Sequence, residues 1–445
     1  MKKKTVDIHF LTIAMTLFMS MTAHAQEIWT VQQCMQYAVA HNHEVKQAEL
    51  DLDNYRASKT GAIGNFLPSA SANIGMQYNF GRAIDPETNG YTDVSTFYNG
   101  YSLGASLPVF DGFNRLHALK AAKASVLMGR EALRQQQDQT ALNVLQAFAN
   151  VAYYEGLVKM AEEKVEETML LLRQTRLMEE VGRKSAADVA QVESQQAEAD
   201  YELTRQQNLY ASALLELKKE MNYPMTDTLS LTVSHGDWNA CNVCNITLFQ
   251  SPCETHSSLQ IVRYQMVASK HEWRQARAGL LPSLSLSAGL STTYYHTLHT
   301  PSAASFNDQF KNNMGEYVGA TLSIPLFSRL QTITSIRRAK NNYLRAQEAY
   351  EQKQLELEKL SREAWQDWLG YLKQTAQMEK KVEADSMAYQ LTRRQFEEGL
   401  STAIDLHTTS SQLLNSKATL LQCQLMAMVK EQLVRYYQGE TIWTE

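Results

Sequence analysis

Four segments of this chain alternate apolar and polar residues with a period of two. From Ser69, SASANIGMQYNF sets Ala70, Ala72, Ile74, Met76, Tyr78 and Phe80 against Ser69, Ser71, Asn73, Gly75, Gln77 and Asn79. FYNGYSLGASLPVF sets Tyr101, Leu103, Ala105, Leu107 and Val109 against Gly100, Ser102, Gly104 and Ser106. SLSLSAGLSTTY sets Leu284, Leu286, Ala288 and Leu290 against Ser283, Ser285, Ser287 and Gly289, and a fourth segment sets Val318, Ala320, Leu322 and Ile324 against Tyr317, Gly319, Thr321 and Ser323. The alternation predicts strands, and its freedom from charge suits a barrel wall with lipid on one side and water on the other. A soluble sandwich would expose charge on its wet face. Tyr78, Phe80, Phe97, Tyr98, Tyr294 and Tyr295 gather at the loop ends of these segments, where an aromatic girdle is expected.

The stretches between the strands read as helices. Phe113 to Val181 and Arg329 to Glu398 contain no proline, which predicts two helices of roughly 100 Å at 1.5 Å per residue. Shorter helices are predicted over 30–66, 185–221, 254–280 and 401–437. Placed end to end in pairs, they match the long ones. Leu203, Tyr210 and Leu217, like Leu406, Leu413 and Leu420, recur every seven positions, the spacing of a left-handed coiled coil.

The pattern occurs twice. Pro108 and Pro325, Gly182 and Gly399, and Asp188 and Asp405 are each 217 positions apart. An offset held over such distances implies two homologous halves. The expected organisation is a leader over 1–25, a first repeat over 26–221, an inter-repeat segment over 222–256 and a second repeat over 257–445. Pro108 and Pro325 are expected where strand gives way to helix, since proline has no N–H for a ladder. Gly112 supplies backbone freedom there in the first repeat; Ser328 and Arg329 stand in the second, which is expected to turn differently. Gly182 and Gly399 are expected to end the long helices, with Ser185 and Ser401 capping the next.

Four strands cannot close a barrel, and lipid tolerates no open edge. Three chains would supply twelve, so an oligomer is expected. MKKKTVDIHFLTIAMTLFMSMTAHAQ has a basic start, an apolar run and Ala-His-Ala, a secretory leader with cleavage expected after Ala25 and no cysteine behind it to carry a lipid. The formal charge of −5 over 445 residues gives nucleic acid nothing to bind.

With these pieces in place the mature chain resembles the TolC-like outer membrane factors. The resemblance rests on the duplication, the strand entries FLPS and LLPS, the strand exits LPVFDG and IPLF, and the glycine hairpins EEVGRKSAADV and FEEGLSTAIDL. It implies an α+β membrane protein, a homotrimer with a twelve-stranded barrel in outer-membrane lipid continued by a helical periplasmic tunnel. Its function would be that of an exit duct for a tripartite efflux pump or type I secretion system. A periplasmic adaptor and an inner-membrane RND or ABC-type transporter would be its partners. By resemblance the adaptor docks at Gly182, Arg183, Lys184 and Ser185 and at Gly399, Leu400, Ser401 and Thr402. Asp405 matches the first of two aspartates that narrow the family's periplasmic entrance; Thr408 stands where the second would be, so one acidic ring is expected.

Other chemistry is sparse. Cys241, Cys244, Cys253 and His256 could ligate zinc, but in an exported protein a disulfide is the better expectation. Cys34 and Cys423 are expected as helix packing residues, and His41 with its neighbours lacks the spacing of a hydrolytic metal motif. No nucleophile elbow, phosphate loop or dinucleotide turn is present, so neither an enzyme nor a cofactor is expected. The competing reading is a soluble periplasmic coiled-coil scaffold without a pore.

Overall fold

In a computed structural model the described residues are 28–84, 89–93, 95–231, 254–298 and 304–443. The expected leader, Cys241, Cys244 and Cys253 lie outside them. The strands are β1 (Ile28–Trp29), β2 (Ser69–Asn79), β3 (Arg82–Ile84), β4 (Tyr91–Asp93), β5 (Thr96–Phe110), β6 (Ser230–Leu231), β7 (Ser283–Thr297) and β8 (Gly315–Ser323). The helices are α1 (Val31–His41), α2 (His43–Gly64), α3 (Asn114–Glu180), α4 (Ala186–Met221), α5 (Ser257–Ala278), α6 (Phe306–Asn312), α7 (Gln331–Glu397) and α8 (Ala403–Tyr437). Both α3 and α7 have 67 residues, about 100 Å by helical rise. The chain divides into two units, one of Met1–Glu49, Leu133–Ser257 and Leu355–Glu445, the other of Leu50–Ala132 and Ser258–Gln354.

The second unit holds a four-stranded antiparallel sheet in the order β2-β5-β7-β8. The period-two pattern sets its register: Leu103 lies opposite Ala72 and Leu290, and Ser106 opposite Ser69 and Ser287. Toward the Ser106 end apolar thus meets apolar on one face and polar meets polar on the other, whereas nearer the loops Met76 faces Asn99 and Leu290 faces Glu316. Among the described residues β2 and β8 pair on one side only. Ile74, Met76, Val318 and Leu322 on these edges are all exposed.

Three details depart from the sequence reading. First, the aromatic cluster divides: Tyr78, Phe97 and Tyr294 share the apolar face, with ring centroids 4.8 and 6.2 Å apart, whereas Tyr98 pairs with Tyr295 on the other. Second, a short helix, α6, stands between β7 and β8, where the sequence reading places no element. The rings of α6 residues Phe306 and Phe310 pack 6.4 and 5.4 Å from Tyr101, and Thr292 Oγ1 donates to the Phe310 carbonyl at 2.7 Å. Third, neither proline begins a helix. Pro108 lies inside β5, opposite Ser285 and just before a register shift at Phe110, and Pro325 falls two residues past β8.

The turn that follows each proline also corrects the expectation. Gly112 and Phe113 have φ of 66° and 70°, and Arg329 and Leu330, 217 positions on, have φ of 51° and 63°. Both repeats therefore turn alike, and the second does so with side chains that disfavour the left-handed region. Glycine is needed in the first because a Cβ at Gly112 would come within 2.7 Å of the Ala278 carbonyl oxygen. Arg329 is exposed, so its side chain has room.

The first unit is helical, with a small parallel pairing of β1 and β6. The helix expected over 30–66 is broken at Asn42, whose Oδ1 accepts from the Glu44 N–H at 2.7 Å and so caps α2. The interrupted backbone is satisfied across to α4: Asn42 Nδ2 donates to the Glu220 carbonyl and Asn222 Nδ2 to that of His41. A cluster including Cys34, Met35, Val144, Leu145, Leu217, Met221 and Leu425 forms the apolar core. Cys34 is fully buried in it, which pushes its thiol up to about 12, and Cys423 is buried as well. Both are packing residues.

Asp138 is buried and accepts from Trp443 Nε1 at 3.0 Å. Burial holds its carboxyl above the usual 3.8, so ionisation costs stability: the loss is absent below 3.8 and complete once pH exceeds the raised value. Asp138→Asn keeps an acceptor for the indole. It should melt higher than wild type at pH 8 and level with it at pH 3.5, by circular dichroism in detergent; equal melting at both would refute the assignment.

Candidate functional site at the twin hairpin tips

Two helical hairpins in the first unit end in tips of matching geometry. Gly182 has φ of 77°; its N–H donates to the Glu179 carbonyl and that of Arg183 to the Met178 carbonyl, both at 2.8 Å. Gly399 has φ of 79°, with Gly399 donating to Phe396 at 3.0 Å and Leu400 to Gln395 at 2.8 Å. This is the Schellman closure, in which glycine takes the left-handed residue and the last carbonyls of the helix find donors. Both tips are displayed: Val181 is 70% exposed and Leu400 75%.

The following helices start with capping boxes. Ser185 Oγ accepts from the Asp188 N–H at 3.2 Å, and Asp188 Oδ2 accepts from the Ser185 N–H at 2.9 Å. In the second tip Thr402, not the expected Ser401, is the cap: its Oγ1 accepts from the Asp405 N–H at 3.2 Å. Thr402 is the residue at the conserved offset from Ser185. Asp405 Oδ2 in turn accepts from the Thr402 hydroxyl at 2.6 Å and its N–H at 3.1 Å. Hydrogen bonds from Thr402 hold the Asp405 carboxyl below the usual carboxylate range, and the backbone N–H of Ser185 does the same for Asp188. Asp405 is therefore an exposed, ionised capping aspartate. Thr408 is exposed too, and its hydroxyl is turned back to the Ile404 carbonyl at 2.8 Å.

The tips are joined by Lys184, one of the expected tip residues, and by Phe396, which sequence reasoning missed. Lys184 Nζ lies 4.2 Å from the Phe396 ring centre. Phe396 is buried with Val192, Ala403 and Leu406, and Gln195 Nε2 donates to the Ala403 carbonyl at 3.2 Å. The available signal was a difference between repeats. Phe396 stands where the first has Glu179, and Lys184 where the second has Ser401. Further along, Asp385 on α7 binds Lys381 at 2.7 Å and accepts from Gln412 on α8 at 3.0 Å. The Lys381 ammonium keeps Asp385 below the ordinary range.

The remaining candidates fall elsewhere. His256, once a possible zinc ligand, is buried with its ring 4.7 Å from Tyr436 and 5.9 Å from Tyr437. His41 stacks on Tyr37 at 4.1 Å. Among the described residues no group of three or more His, Cys, Asp or Glu is placed to hold a metal. Pro108, Gly112 and Pro325 lie in the second unit, with the sheet.

Phe396→Ala should loosen the tips by about 3–5 kcal/mol, the usual cost of removing a buried phenylalanine. Hydrogen exchange over 389–406 should accelerate strongly, and much less for Phe396→Leu. Equal protection in all three proteins would show that the ring is not what joins the tips.

Comparison with known proteins gives this geometry a context. The family described as outer membrane efflux protein matches residues 34–222 and 250–435. The probable efflux pump outer membrane protein TtgC of Pseudomonas putida is 25% identical over 263 residues, 58% of this chain and 53% of that protein. The chain thus spans about half the length of that relative. The outer membrane efflux protein BepC of Brucella suis biovar 1 is 22% identical over 354 residues, 78% of this chain and 72% of that protein. Among solved structures, CusC aligns with a TM-score of 0.78 at 16% identity, covering 92% of this chain and 91% of its own. The outer membrane protein VceC of Vibrio cholerae aligns at 0.77 and 14%, covering 93% and 96%. At these identities the structures speak for the fold.

Proposed function

This chain belongs to the outer membrane efflux protein family, and from that footing we propose that three copies form one exit duct in the outer membrane. The duct is a passive conduit; the protein provides a wall and performs no bond chemistry. Its substrates arrive from an inner-membrane transporter of the RND or ABC type through a periplasmic adaptor. The observation that carries this reading is the sheet. Its apolar face exposes Ile74, Met76, Leu103, Leu286, Leu290, Val318 and Leu322, and its two edges are unpaired among the described residues. An apolar face suits lipid, and lipid requires that the edges be closed by other strands. Among the described residues no helix is long and apolar enough to cross a membrane.

The adaptor docks at the tips, on Gly182, Arg183, Lys184 and Ser185 and on Gly399, Leu400, Ser401 and Thr402. Support comes from their Schellman closures, which leave Val181, Arg183 and Leu400 exposed to solvent. Three copies of Asp405 line the entrance as a single acidic ring. An ionised carboxylate within the first turn of α8 suits that role, since three such charges around a narrow axis draw cations.

Asp405→Asn removes the charge and retains an oxygen to cap α8. In planar bilayers the purified variant should conduct as a trimer with cation block weakened several-fold; unchanged block would remove Asp405 from the entrance. A protein extracted from outer membranes as a monomer without conductance would remove the duct.

A further inference from the structure

We propose that His117 and His271 form an acid-sensitive staple between the two repeats, closed while at least one ring is neutral and opened when both are protonated. The staple lies within one chain and is independent of the duct reading.

It joins two helices of the second unit. α3 begins at Asn114, directly after the corner at Gly112 and Phe113, and α5 ends at Ala278, shortly before β7. Near these ends the two half-buried imidazoles are stacked, with centroids 5.5 Å apart and planes inclined by 26°. Nδ1 of one ring lies 3.3 Å from Nδ1 of the other. Two such nitrogens bond only if one carries a proton and the other a lone pair. A neutral pair meets that condition, and so does a pair with one extra proton. Two imidazolium ions meet N–H to N–H and repel. One turn away Gln275 Nε2 donates to Asn114 Oδ1 at 3.3 Å, a bond between amides that acid does not titrate.

The surroundings favour the neutral pair. The charges acting on it are Lys120 of α3 and Lys270 and Arg274 of α5, all cations. Arg115, one turn nearer the corner, is bound to Asp111 at 2.9 Å and donates to the Asn65 carbonyl, with Phe66 under its guanidinium; this is how the end of α2 meets α3 here. α7 meets α5 through Tyr343, stacked on Trp273, and Thr332, against Gly279. Arg277 lies over the same Trp273, and the exposed Glu272 lines the groove toward Thr332 and Ser335. Burial and the neighbouring cations hold both histidines below the ordinary 6.5. The staple is therefore closed at neutral pH. Its contribution declines as pH falls below 6.5 and is lost below the lowered values. Acid thus frees α5 from α3 where both helices join the sheet.

Hydrogen exchange of the full chain in detergent at pH 8 and pH 5, corrected for the intrinsic effect of pH on exchange, tests this. In wild type, protection over 114–124 and 266–278 should fall about tenfold between the two, since exchange reports local opening, while α4 stays level. His117→Gln with His271→Gln keeps polar groups across the contact and removes the titration, so its protection should be the same at both pH values. His117→Phe with His271→Phe keeps the stack and should behave alike. Wild-type protection unchanged at pH 5 overturns the staple. So does a fall of equal size in the substituted proteins, or one that spreads equally over α4. None of these results bears on the duct, which is tested by conductance.

Discussion

Every backbone amide placed in hydrocarbon must find its partner within protein, because no water is there to serve. A helix meets that demand alone; a strand meets it only through neighbours. This chain carries four long strands, a sheet with two ends left over. The proposed duct answers that deficit with other copies of the chain, which together would enclose a polar interior that a four-stranded sheet could not. In that duct the Ser, Gly and Asn of the second face would line the interior.

The helices obey a different economy. At 67 residues, α3 and α7 are too long for a single core to hold. Apolar burial is accordingly gathered into separate clusters, the largest around Leu145 and Leu217 and a small one of Val192, Phe396, Ala403 and Leu406 at the tips. A four-residue cluster with one ammonium over one ring is a modest lock. Elements held by few buried contacts open most readily, and here they are the ones read as the entrance.

Much of this was legible in the sequence for a definite reason. Period-two alternation without charge, uninterrupted helical spacing and glycine at a fixed offset are local signals, and strands, long helices and tips all followed them. What escaped depended on pairings that no local pattern encodes. The break at Asn42 answers to carbonyls of α4, and Phe396 matters through Lys184 across the hairpins. Thr402 rather than Ser401 caps α8, although the repeat offset had already pointed to it. Pro108 is tolerated inside β5 where the strand lies beyond its last pairing with β2 and beside a register shift against β7.

The paired corners at Gly112–Phe113 and Arg329–Leu330 bear differently on the maturation of the molecule. In the first, glycine lies against Ala278, which belongs to the second repeat, so the bend is secured only once the two repeats have met. In the second, two ordinary residues hold left-handed backbone while exposed, and the turn is closed within its own repeat by the Gln331 N–H on the Ser328 carbonyl and the Thr334 N–H on the Leu330 carbonyl, both at 3.0 Å. Strain of this kind persists only where surroundings overdetermine it. The first corner thus registers whether the two halves have come together, whereas the second is set by one half alone.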